Sequence, residues 1–236
     1  MVLQTDLFPQ TNLRGESREY QAKREEVRLA EIELMRQQER VAAMRRALPA
    51  GTTVEDYVFE EGPPDLSAGD EPVRQVRLSE LFSAPDRPLV IYHLMYGKKQ
   101  TNPCPMCTMW IDGYNGVAHH LKQNIDLAIA AAADLPRLRA HARNRGWNRL
   151  RLLSCRTNTF KRDLKSEDAE GRQDSTMSVF TKDPDGSVRH FYTAHPSMAE
   201  DIRERGLDLL TPVYNLLDLT PNGRGSWYAS LKYPGE

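Results

Sequence analysis

Cys104-Pro105-Met106-Cys107 places two thiols two residues apart, the spacing at which a pair can cycle between dithiol and disulfide. A thiol at a helix N-terminus faces unsatisfied backbone N–H groups and the positive end of the helix dipole, so it ionises easily and attacks as thiolate. Cys104 is therefore read as the nucleophile. Cys107, one helical turn on, is read as the thiol that resolves the mixed disulfide. Pro105 suits the first helical position, where its missing N–H costs nothing. Two blander readings compete. Structural zinc needs about four ligands, and the sequence offers no second Cys-x-x-Cys and no spaced His pair. An inert buried pair is the other, since free cysteine packs as a small hydrophobe.

The residues around the motif widen the chemistry to be considered. Thr101 lies three residues before Cys104, and Arg156 follows the third cysteine, Cys155. A threonine and an arginine beside an attacking cysteine are the types that orient a peroxide and stabilise its leaving oxygen, so peroxidase-type activity is a further option. Trp110 and Asp112, just inside the following helix, are candidates to wall or tune the thiols, a buried carboxylate being able to relay a proton to the resolving cysteine. The alternative to an enzyme is a Cu(I) or other soft-metal protein with Cys104, Cys107 and Cys155 as ligands, since Met95, Met106, Met109, His93, His119 and His120 lie close in sequence. Adjacent His119 and His120 point about 100° apart on a helix, which weakens that set. His195, before Pro196 in a polar loop, reads as structural or exposed. Gly223-Arg224-Gly225 lacks the strand, helix and lysine of a phosphate loop.

The pattern around the motif indicates how it is held. An apolar run from Leu89 to Tyr96 reads as a buried strand, a polar turn follows, and helical character runs from the motif to about Leu121. Ile125 to Ile129 is a second strand, Asp134 caps a helix over Pro136 to Arg145 that Gly146 ends, and Leu150 to Leu153 is a third strand. Strands alternating with helices imply a parallel sheet whose C-terminal strand ends share one edge, which would bring Cys155 towards Cys104 as a third redox thiol or a soft ligand. Met177 to Lys182 and Val188 to Tyr192 flank Asp183-Pro184-Asp185-Gly186, a hairpin signature. Strand, loop, Cys-x-x-Cys, helix and a closing hairpin is the thioredoxin order. In that arrangement the residue before the first hairpin strand abuts the thiols and is usually a cis-proline. Here Ser175-Thr176 stands in that place, so Thr176 is expected to set a hydroxyl beside the cysteines.

Upstream, Glu16 to Arg46 holds neither Pro nor Gly, and Pro49-Ala50-Gly51 ends a helix of about eight turns. Tyr20, Val27, Leu34, Val41 and Leu48 recur every seven residues, but Lys23 and Gln37 spoil the second seam of a long coiled coil. The helix is expected to pack on the chain's own domain or on a sister subunit, the latter giving a homodimer. Tyr57-Val58-Phe59 and Val73 to Leu78 suggest a hairpin, and Ser79 to Phe82 one helical turn. The expected division is a helical arm and linker over 1–71, a thioredoxin-like domain over 72–219 with Tyr214 to Leu219 covering the sheet, and a tail over 220–236. Thirty-two basic against 33 acidic residues give no footprint for nucleic acid or an anionic membrane. No apolar stretch spans a bilayer, and Met1 to Arg14 lacks the apolar core of a secretory leader. The chain is thus read as cytoplasmic, where thiols are kept reduced and reactive.

The combination of Arg45-Arg46-Ala47-Leu48-Pro49, Asp56-Tyr57-Val58-Phe59, Tyr92-His93-Leu94-Met95-Tyr96-Gly97, Cys104-Pro105-Met106-Cys107, Arg145-Gly146-Trp147 and the run Tyr214 to Arg224 resembles the bacterial thioredoxin-like family catalogued as domain of unknown function 899. The resemblance spans nearly the whole chain. It implies an α/β fold, a thioredoxin-like mixed sheet flanked by helices with a long N-terminal helix, related to thioredoxins and peroxiredoxins. It departs at Lys98 to Asn102 and at Cys155, where serine is more usual. The expected activity is thiol-disulfide oxidoreduction on a disulfide, sulfenate or peroxide, with a cellular dithiol as reductant and no cofactor.

Overall fold

The computed structural model describes residues 13–201, 206 and 211–232. Met1 to Asn12, most of the stretch read above as lacking a leader, lies outside the described residues, as do the last four residues of the tail. Contacts divide the chain into two units, Met1–Pro49 and Ala50–Glu236.

In the first unit, Ser17 caps helix α1 (Arg18–Arg46), its hydroxyl accepting the Tyr20 N–H at 3.1 Å. Charged pairs such as Arg28 with Glu25 and Arg40 with Glu33 line its surface. No residue of α1 is buried, and Tyr20, Val27 and Leu34 of the heptad stripe are each more than half exposed.

The second unit is built on one seven-stranded sheet: β1 (Val58–Glu61), β2 (Arg74–Arg77), β3 (Leu89–His93), β4 (Asp126–Ala131), β5 (Arg151–Ser154), β6 (Thr176–Lys182) and β7 (Val188–Ala194), in the spatial order β2-β1-β5-β4-β3-β6-β7. β3, β4 and β5 run parallel, and β6–β7 closes one side as an antiparallel hairpin. The fold is thus the thioredoxin-like α/β arrangement that the element order predicts. The β1–β2 hairpin is not a separate linker element: β1 joins the sheet by pairing antiparallel with β5, Glu60 opposite Ser154. It does so upstream of Pro72, within a unit that begins at Ala50.

All five residues of β3 are buried because both sheet faces are covered. On one face, Tyr92, Ile129, Leu152 and Met177 pack beneath α2 (Pro105–Leu121) and α3 (Leu135–Arg145), which contribute Trp110, Ile111 and Leu138. On the other, Ile91, Ala128, Leu153 and Phe180 meet Tyr57, Phe59 and Phe160, the last opening the single turn α4 (Phe160–Asp163). Asp134 caps α3 and Gly146 ends it in the left-handed conformation, as the sequence indicates. α5 (Pro212–Leu217) buries Tyr214 against the first face, where its hydroxyl donates to the Met106 sulfur at 2.9 Å, so this segment covers the start of α2 rather than the sheet itself. Among the described residues no helix is long and apolar enough to cross a membrane.

Candidate active site

β3 runs into the segment Leu94 to Pro103, which carries the chain over the sheet edge to the motif. The Leu94 N–H reaches Ala130 O at 2.9 Å, and the Tyr96 O accepts from Ala133 N at 2.8 Å, so the segment stays tied to β4. It then returns: the Cys104 N–H donates to Met95 O at 3.0 Å. Cys104 is the N-cap of α2 and Pro105 its first residue, so both cysteines sit on the first turn. Thr108 reinforces that turn, its N–H and its hydroxyl each reaching Cys104 O at 3.0 Å, and the same hydroxyl lies 3.1 Å from His141 Nε2 on α3.

The two thiols, both free, occupy unlike environments. Cys104 is only partly buried. Its pKa is lowered to about 6, first by hydrogen bonding from the Cys107 thiol, then by the backbone N–H groups of Cys107 and Met106 and by the Tyr228 hydroxyl, against the opposing effect of burial. Cys107 is fully buried, and burial pushes its pKa well up, as does the neighbouring Cys104 thiolate. The nearby Tyr92 hydroxyl and Met95 N–H oppose that rise. The pair is therefore asymmetric: an accessible thiolate beside a protonated, enclosed thiol.

Of the other residues singled out in the sequence, Trp110 is buried in the same cluster as Cys107, with its ring edge-on to Tyr92 at 6.3 Å. Asp112 is turned away to structure, accepting the Trp147 Nε1 proton at 2.7 Å and pairing with Arg145, so it ties α2 to α3. Thr101 has an exposed side chain, and its carbonyl accepts from the Tyr96 hydroxyl at 3.3 Å. Arg156 pairs with Asp134 at 3.2 Å. Thr176 opposes His93 in the β3–β6 ladder, and strand alternation turns its hydroxyl to the face opposite α2. There it lines a cavity of about 580 Å³ with Tyr57, Asp174, His190 and His195. Cys155 packs in the core of that opposite face, its pKa raised to about 12 by burial. Parallel strand ends share an edge, but β5 delivers Cys155 on the other side of the sheet from α2. Among the described residues no three His, Cys, Asp or Glu side chains gather as metal ligands, which separates Cys155 from the donor set of the soft-metal alternative. His119 and His120 are both exposed at the far end of α2, with ring centroids 3.8 Å apart.

One neighbour of the thiols had no signal in the sequence: Tyr228 belongs to a tail without periodicity. Thr108 was not singled out in the sequence, although its place four residues after the N-cap, on the same helical face, was a signal that could have found it.

A family model described as a bacterial protein of unknown function, DUF899, matches residues 9–233. The chain belongs to this family. A comparison with curated proteins finds no match. Among solved structures, this DUF899 chain is similar to reduced Prx3 in complex with hydrogen peroxide from Vibrio vulnificus, at 17% identity and a TM-score of 0.46 over 70% of this chain and 99% of that one. It is also similar to the peroxidoxin BcpB from Mycobacterium tuberculosis, at 16% identity and 0.46 over 69% and 94%. AhpC from Mycobacterium bovis gives 14% and 0.47 over 77% and 98%.

Proposed function

We propose that the protein is a thiol-disulfide oxidoreductase in which Cys104 attacks and Cys107 resolves. The observation that carries this reading is the asymmetry of the pair at the head of α2: one partly exposed thiol held as thiolate near pH 6, one buried thiol kept protonated. The Cys104 thiolate attacks one sulfur of a substrate disulfide, and the other sulfur leaves and takes up a proton. Cys107 then gives up its proton, attacks the Cys104 sulfur and expels the second substrate thiol. Two electrons pass to the substrate, and a cellular dithiol returns the pair to its reduced form. A sulfenate would be reduced by the same two steps, with water as the leaving group. On a peroxide the thiolate would take one oxygen as sulfenic acid, the O–O bond breaking to release water or an alcohol, and Cys107 would expel the transferred oxygen as water; Arg156 is paired with Asp134, while Thr101 engages Tyr96 only through its carbonyl and keeps an exposed side chain.

The test is insulin reduction with a dithiol donor. Cys104→Ser abolishes turnover, and Cys107→Ser accumulates a mixed disulfide on Cys104 detectable by mass spectrometry. Turnover of insulin and of peroxide by both variants at the parent rate overturns the proposal. Peroxide consumption without insulin reduction would transfer the same two roles to the peroxidase branch.

A further inference from the structure

We infer that Lys161 is a positioning residue for the resolving thiol, acting on Cys107 through the single peptide group that joins Leu94 to Met95. The inference rests on the dithiol reading and assigns a role within it.

Lys161 is 2% exposed, on the sheet face opposite α2. Its ammonium donates to Leu94 O at 2.9 Å and to Asp174 O at 3.4 Å, and among the described residues it forms no ion pair. Burying an ammonium against carbonyls alone costs several kcal/mol, so a lysine with no further use is an expensive staple here. The turn around it is fixed to the end of β3: Lys161 O accepts from Ser166 N at 2.7 Å, and the Ser166 hydroxyl lies 2.6 Å from His93 Nδ1, while the His93 ring stacks on Phe160 with centroids 4.9 Å apart.

The Leu94 carbonyl and the Met95 N–H are two ends of one planar peptide. A cation on the oxygen draws electron density from the nitrogen and strengthens the N–H as a donor, the cooperative effect of chained hydrogen bonds in a low dielectric. That N–H is the backbone donor to the Cys107 sulfur, and the next carbonyl, Met95 O, holds the Cys104 N–H at 3.0 Å. Lys161 thus holds the peptide whose N–H meets the Cys107 sulfur. Burial lowers the Lys161 pKa, and Cys107 is among the groups whose charge opposes that fall. The gain comes in the second half of the reaction. Cys104 has backbone N–H groups, Cys107 and Tyr228 to support its negative charge. Cys107 must ionise while enclosed, with Tyr92 and Met95 as its donors, and the Lys161 field lowers the cost of that ionisation.

The probe is the aromatic disulfide 5,5′-dithiobis(2-nitrobenzoic acid). Attack by Cys104 releases one coloured thiol, and attack by Cys107 on the resulting mixed disulfide releases the second. In Lys161→Met, which keeps length and loses charge, the first release keeps its rate and its pH midpoint. The second slows by about three-fold near pH 7, since about one unit on the Cys107 pKa cuts the thiolate fraction ten-fold and returns about three-fold in intrinsic nucleophilicity. Lys161→Gln, which keeps a donor for the Leu94 carbonyl, gives a smaller slowing of the second release alone. Equal slowing of both releases, no slowing of either, or loss of the fold in both variants makes Lys161 a structural residue and overturns the inference. A parent protein that releases only one thiol at any pH shows instead that Cys107 does not resolve, and the dithiol reading itself falls.

Discussion

Replacing Cys107 by alanine tests what holds Cys104 as a thiolate. In the parent protein the Cys107 thiol is the largest of the groups that lower the Cys104 pKa from 9.0 to about 6. A hydrogen bond to a charged group is worth about 1.5–3 kcal/mol, and one pKa unit about 1.4 kcal/mol, so Cys107→Ala is expected to raise the midpoint by about one to two units, to roughly 7–8. The backbone N–H groups of residues 106 and 107 and the Tyr228 hydroxyl supply what remains. The assay is the rate of iodoacetamide alkylation against pH. Cys155 does not interfere, being fully buried with a raised pKa. Rate at neutral pH is a poor readout: a fall of three units raises the thiolate fraction at pH 7 from about 1% to about 90%, but costs roughly 20-fold in intrinsic nucleophilicity, leaving roughly a four-fold gain. At pH 5 the same comparison leaves roughly forty-fold, so the acid limb of the profile carries the information. A folded variant whose midpoint stays at about 6 refutes the reasoning, because the helix terminus would then suffice alone.

Other outcomes follow from the same geometry. Tyr228→Phe raises the alkylation midpoint by less than one unit, since its hydroxyl is the last of the named contributors; an unchanged midpoint would remove the tail from the site. Asp112→Asn weakens its bonds to Arg145 and Trp147 and costs about 1–3 kcal/mol in urea unfolding without moving that midpoint, whereas a moved midpoint would connect Asp112 to the thiols. Stability of the reduced protein falls on acidification. Between pH 9 and about 6 the unfolded chain binds a proton at Cys104 that the folded one does not, and between 6.5 and about 4 the same holds for His141, whose pKa burial lowers. Cys104→Ser removes the first part of that pH dependence and leaves the second, as urea midpoints across the range would report.

How much of this was legible in the residues divides along physical lines. Local signals were reliable: Asp134 before α3, Gly146 after it, Pro105 at the head of α2 and the Asp-Pro-Asp-Gly turn each depend on a few neighbouring backbone groups, and each element formed where its signal lies. Placement across the sheet was not. Thr176 and Cys155 both stand at the strand ends where the topology puts them, yet each turns to the face away from α2. A period of two makes the face depend on register to a single residue, and register is set by pairing with distant strands. Arg156, of the right type and close in sequence to Cys155, is paired with Asp134, and Thr101 keeps an exposed side chain with only its carbonyl meeting Tyr96.

That misplacement changes what Cys155 means. Near Cys104 it would have been a third redox thiol; in the core of the other face, a thiolate there would be stabilised by the same Lys161 ammonium that feels Cys107. One cation between two buried thiols cannot neutralise both at once, so ionising either should make the other harder to ionise. A serine at this position has no such claim on the charge. If Lys161 serves Cys107, Cys155→Ser leaves the first release of coloured thiol untouched and does not slow the second. A variant that slows the second release as Lys161→Met does would instead place Cys155 in the path of electron transfer.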